Sequence, residues 1–195
     1  MKTMCSFFIS LYLALGVIFG PLAAQAGTIT DLAAEAEVLL EKGDGAAALE
    51  RMEKAMELAW EAAPLTVRKA IYVESATGYG LYVEREAGHS FRPDEKLHIY
   101  VEPTGYSYGR DGVGNLALGM VVDLVVLDSK GATTMAKKDF LSFRSPLRYK
   151  NREFYLTMNV KLNDFPPGEY TAKFQLRDQY SDKSTTFDLP LIFLK

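Results

Sequence analysis

Two hydrophobic periods organise the chain. Between about Thr28 and Pro64, apolar residues recur every three or four positions. Leu32, Ala36 and Leu39 share one helical face, and Thr30 or Asp31 can cap its start. Gly43-Asp44-Gly45 breaks that helix. A second helix carries Ala48, Met52, Ala55 and Ala59 on one stripe, and Pro64 stops it. From about Leu65 the period falls to two. Phe154, Leu156, Met158, Val160 and Leu162 alternate with polar residues, as do Tyr170, Ala172, Phe174 and Leu176. Phe187, Leu189, Leu191 and Phe193 form a third row. Such alternation marks half-buried strands.

Further strands are expected at Val67 to Glu74, Leu97 to Glu102, Leu116 to Leu127 and Thr133 to Phe143, with a short edge strand at Tyr79 to Glu84. Asp128-Ser129-Lys130-Gly131 and Ser181-Asp182-Lys183 read as tight connections. Pro190 lies inside the last row and predicts an edge or a bulge, because proline donates nothing to a ladder. The fold class is therefore mainly β with a small α part. It is an antiparallel sandwich of about seven strands over 65–195, preceded by a helical hairpin over 27–64.

A third segment precedes both. Phe7 to Phe19 is almost unbroken apolar sequence, Lys2 lies before it, and Ala24-Gln25-Ala26 follows with small residues at the cleavage spacing. Residues 1–26 read as a secretory signal peptide, which predicts a periplasmic or secreted protein. No later run is long enough for a membrane span. The single cysteine, Cys5, lies in the leader, so the mature chain has no thiol, disulfide or cysteine metal ligand. The net charge of −3 disfavours nucleic acid, whose phosphates need a basic surface.

Gly43-Asp44, Ala48, Met52 and Ala55 resemble the small-and-large spacing of one tetratricopeptide unit. That resemblance implies a peptide groove, while the spacing alone implies a hairpin packed on the next domain. No second copy follows. Pro167-Gly168-Glu169-Tyr170 resembles the tyrosine corner of immunoglobulin-like and fibronectin-type sandwiches. The resemblance implies that architecture over the C-terminal part, without the family's cysteine pair.

Candidate chemistry is sparse. Thr104 to Asn115 joins two strands with four glycines and two tyrosines. Tyr106 and Tyr108 can stack on a ligand or anchor a partner, and Arg110 and Asp111 can supply directional hydrogen bonds. His98, Tyr100 and Glu102 alternate with Leu97, Ile99 and Val101, which predicts that the polar set lines an outer face. His98 and Glu102 stand about 13 Å apart along a strand, too far to share a metal. A His89–His98 site would need a third ligand that the sequence does not place, and Met120 and Met158 fit core rows. No metal site, cofactor or catalytic residue is assigned. Asp123 lies in an apolar run and reads as an outward residue, and Asp139, Asp178 and Asp188 as outward or strand-end residues. Trp60 ends the second helix and reads as an anchor on the sandwich.

The sequence thus predicts a non-catalytic binding or accessory module of the cell envelope, acting on a protein partner. A carbohydrate-binding module using Tyr106 and Tyr108 is the alternative, with an envelope polysaccharide as its ligand. A hydrolase whose acids converge in one cleft is the third reading.

Overall fold

A computed structural model of the protein describes residues 22–195, with side chains from residue 28 onward. The expected leader lies almost wholly outside the described residues. The chain forms two compact units, one ending at Leu58 and one spanning Ala59–Lys195. The division falls inside the second helix rather than at Pro64.

The first unit is an antiparallel pair of helices, α1 (Leu22–Glu41) and most of α2 (Gly45–Ala62). α1 begins well before the cap expected at Thr30 or Asp31. Ala23, Ala24, Gln25 and Ala26 are strong helix formers, and a lone Gly27 does not stop them. The helix therefore runs through the expected cleavage point. Asp44 caps α2, its carboxylate accepting from the Ala47 amide at 3.1 Å. Ala36, Ala48 and Ala55 are buried, so the helices meet through small residues. Glu35 and Arg51 pair across them at 2.9 Å. Met52 and Ala59, expected on the inner stripe, are exposed. Contact through alanines is close and narrow, and it leaves the flanking methionine uncovered.

The second unit holds two sheets. The smaller has the order β2-β1-β4-β8, built from β1 (Thr66–Gly78), β2 (Leu81–Glu84), β4 (Lys96–Thr104) and β8 (Leu156–Lys161). The larger runs β3 (Ser90–Phe91), β10 (Ser184–Phe193), β9 (Gly168–Asp178) and β6 (Leu116–Asp128). β5 (Gly109–Arg110) and β7 (Thr133–Pro146) both pair with β6. Every strand predicted from alternation is present. The count of ten exceeds about seven chiefly because β3 and β5, at two residues each, are too short to carry a period. Pairing is antiparallel except for β3 against β10. That contact covers only Ile192 and Phe193, so among the described residues β10 has no neighbouring strand on that side at Pro190, as expected for an edge position.

Inward rows from both sheets enter one cluster. Leu97, Ile99 and Val101 of β4 and Met158 and Val160 of β8 join Met120, Val122, Leu124 and Val126 of β6. Phe174, Leu176, Leu191 and Phe193 come from β9 and β10. Each such side chain contributes about 1.5–3 kcal/mol on leaving water. The Tyr170 hydroxyl donates to the carbonyl oxygen of Pro166 at 2.9 Å, which fixes the approach to β9. In the β6–β7 turn, Asp128 accepts from the amides of Lys130 and Ala132, and Gly131 has φ +80°.

Candidate binding site

The glycine-rich stretch is not an open loop. Gly105 takes φ +73°, and a Cβ there would collide with the carbonyl oxygen of Pro64. This close approach turns Tyr106 inward, leaving it 1% exposed. Its hydroxyl donates to the Asn151 carbonyl oxygen, which also accepts from the Tyr108 hydroxyl at 2.7 Å. Burial pushes the Tyr106 hydroxyl well above the ordinary tyrosine range. Trp60 meets the Tyr106 ring edge to face, with centroids 5.0 Å apart, and donates its indole N–H to the Tyr106 carbonyl at 2.7 Å. The next amide, Ser107, donates to Asp178 at 2.6 Å, and the Tyr180 amide donates to the same carboxylate at 2.8 Å. Asp178 ends β9 as expected, but it is buried and serves as the clasp of this segment.

Around these groups lies a recess of about 220 Å³, lined by Trp60, Glu61, Tyr106, Ser107, Tyr108 and Lys150. Lys150 pairs with Glu61 at 3.0 Å and its ammonium lies 5.8 Å from the Tyr108 ring centre. Lys183 donates to the carbonyls of Glu61 and Gly105 at 3.0 and 2.9 Å, tying the lining together from behind. The recess has an aromatic wall and a mixed-charge margin. It can take one ring or one branched side chain.

The predicted residues fall in three places. Tyr108 is half-buried and lines the recess, and Tyr106, almost fully buried, forms its inner side. Arg110 and Asp111 serve their own turn. Arg110 donates to the Gly114 carbonyl at 2.7 Å. Asp111 accepts from the amides of Val113 and Asn115 and from the Asn115 side chain. Desolvation pulls its carboxyl upward, but the hydrogen bonds from Asn115, Val113 and Gly114 prevail and hold it below the usual range.

On β4, His98 is exposed as expected, but Tyr100 and Glu102 are buried. Alternation shows that they leave the main core; it does not show that other tyrosines cover them. Tyr155 stacks on Tyr100 at 5.5 Å, and Tyr82 leans on its other side at 4.7 Å. The Tyr100 hydroxyl accepts from the Gly80 amide and donates to Glu102, both at 2.8 Å. Burial pushes that hydroxyl up to about 12. The trio expected as one outer surface is thus one exposed histidine and a buried, satisfied Tyr–Glu pair.

Glu61, Lys150, Asn151 and Asp178 are the residues that sequence reasoning missed for this site. Glu61, the adjacent Lys150 and Asn151, and Asp178 come from three distant segments and from no motif, so nothing in the sequence joins them.

Two of the acids, Asp123 and Asp139, share one arginine. Arg177 holds Asp123 through two bonds of 2.9 and 3.1 Å and also bonds Asp139. The Asp139 amide, at φ +51° in a bulge of β7, donates to Asp123 at 2.7 Å. The Arg177 bonds first, and then that amide, hold the Asp123 carboxyl below its ordinary range. Among the described residues no three His, Cys, Asp or Glu side chains come together as metal ligands. Among them, too, no helix is long and apolar enough to cross a membrane.

No protein-family model matches the chain. No curated protein matches it either. Among solved structures, the chain is similar to the Pseudomonas fluorescens alkylpurine DNA glycosylase AlkC bound to DNA containing an abasic site analog. The TM-score is 0.32 and the identity 11%, over 86% of this chain and 47% of that one. The chain thus spans about half the length of that protein, and the likeness is too distant to carry an argument about fold or activity.

Proposed function

We propose that the protein is an exported, non-catalytic binding module of the cell envelope, built on an immunoglobulin-like sandwich, whose ligand is a side chain of a partner protein. The observation that carries this reading is the recess walled by Trp60 and Tyr108, with the Lys150–Glu61 pair at its margin. Aromatic walls give affinity, and a fixed charge pair gives orientation. The sandwich reading draws support from two sheets sharing one core and from the Tyr170–Pro166 bond, the contact of a tyrosine corner. Export draws on the apolar leader alone.

The test places a photo-crosslinking residue at the exposed Glu61, with the same residue at remote Asp94 as control, in the chain expressed with its own leader. A discrete protein adduct at position 61, absent at 94, is expected. A glycan adduct would overturn the protein-partner reading in favour of the carbohydrate one. No adduct from a folded product would overturn the recess as a site.

A further inference from the structure

The sheet edges of the second unit are not treated alike. β2 is only four residues long, and the part of β1 it leaves uncovered carries Arg68 and Lys69 beside a bulge. β10 carries Asp188 and Pro190, with β3 over its last two residues. β7 carries Lys137 and Lys138 before the Asp139 bulge, which Asp123 and Arg177 hold in place, and it ends at Pro146. Short strands, charges, prolines and bulges are the devices that stop one sheet from pairing with another. β8 has no proline and no bulge along its six residues, and its one charge, Lys161, stands at its end. Leu156 to Lys161 pairs in register with β4 on one side, and no strand of the described residues pairs with the other. Its inward row is Leu156, Met158 and Val160; Thr157, Asn159 and Lys161 are exposed.

We infer that β8 is an association edge, and that its occupant is β8 of a second copy, paired antiparallel about a two-fold axis. Side chains directly opposite in an antiparallel pair share a face, so the axis must pass midway between one residue and its own copy. Centred on Met158, the pairing sets Leu156 against Val160 and Thr157 against Asn159. Centred on Asn159, it sets Met158 against Val160 and Thr157 against Lys161. In both registers apolar residues meet apolar and polar meet polar. The only charge, Lys161, meets Tyr155 or Thr157 rather than its own copy. The strand is self-complementary, as a two-fold interface requires. Six residues of edge make a small contact, below the ~1,200 Å² of stable complexes, so association is weak and concentration-dependent.

Sedimentation equilibrium of the purified protein across the micromolar range tests this. The average mass is expected to rise toward twice that of the chain. Thr157→Lys with Asn159→Lys sets lysine against lysine in both registers and is expected to hold the mass at one chain, with circular dichroism unchanged. A monomer at every concentration overturns the inference, as does a dimer that survives in the folded double variant. If the double variant fails to fold, amide exchange on the unaltered protein decides. Amides of β8 that point away from β4 should lose protection on dilution, and protection independent of concentration overturns the inference.

Discussion

Trp60 and Tyr106, 46 positions apart in sequence, are joined twice: by the indole N–H on the Tyr106 carbonyl and by the edge-to-face contact of their rings. The bond satisfies a carbonyl beside a buried side chain, and the ring contact fills the space that Tyr106 leaves. Trp60 is also the only tryptophan, so the site carries its own fluorescent probe.

The two joints can be separated. Trp60→Phe keeps a ring and removes the donor, and should cost about 1 kcal/mol. Trp60→Ala removes both and should cost about 2–3 kcal/mol, below the range for a fully buried aromatic because Trp60 is only half-buried. Urea unfolding followed by far-ultraviolet dichroism gives both values. Equal losses would mean that the ring contact contributes nothing.

Gly105 and Gly131 allow a controlled comparison. Their φ angles, +73° and +80°, are nearly equal, so alanine meets a similar backbone penalty of about 1 kcal/mol at each. Only at Gly105 would the new methyl strike backbone, the Pro64 carbonyl. Gly105→Ala should therefore destabilise by at least about 1 kcal/mol more than Gly131→Ala. Equal unfolding midpoints would remove Gly105 from its role in setting the recess.

Legibility in the sequence followed the physical reach of each signal. Alternation located the long strands, because burial on one face of a sheet acts on every second residue. The rows at Leu156 to Leu162 and Leu189 to Phe193 are buried as read. It failed at Tyr100 and Glu102, because period two separates the faces of a strand and says nothing of what covers the second face. The stretch from Thr104 to Asn115 contributes Tyr106, Ser107 and Tyr108 to the lining of the recess, yet Tyr106 points inward. That direction depends on Gly105 meeting Pro64 and on Asp178 clasping the Ser107 amide, contacts between distant segments. The helical stripe misplaced Met52 for a related reason: periodicity gives a face, and the width of contact is set by the alanines that meet there.

Tyr170→Phe isolates a single hydroxyl. The phenol reaches back to Pro166 while its ring packs edge to face on Phe165 and Phe193. Phenylalanine keeps those ring contacts and loses the bond, so a loss of about 1 kcal/mol is expected. Thermal unfolding of the two proteins checks it. An unchanged midpoint would show that the corner is held by its prolines and ring packing alone.

The Asp123–Arg177 pair makes a prediction with a sign. The bonds from Arg177 and the Asp139 amide favour the ionised carboxylate, so the Asp123 carboxyl in the folded chain titrates below its ordinary value of 3.8. A carboxyl lowered on folding stabilises the protein above its unfolded value and loses that contribution as pH falls through the folded one. Asp123→Asn should therefore cost about 1–2 kcal/mol at about pH 6, a figure discounted because Arg177 is one-third exposed. The difference from the unaltered protein should shrink steadily below about pH 4. Asp188→Asn is the comparison, since its partner Lys173 and Asp188 itself are both nearly half exposed. It should change stability by less than about 0.5 kcal/mol at either pH. Urea titrations of the three proteins at several pH values settle the matter. A difference for Asp123→Asn that persists undiminished in acid would mean that the residue acts through shape or through its neutral hydrogen bonds, rather than through charge on Arg177.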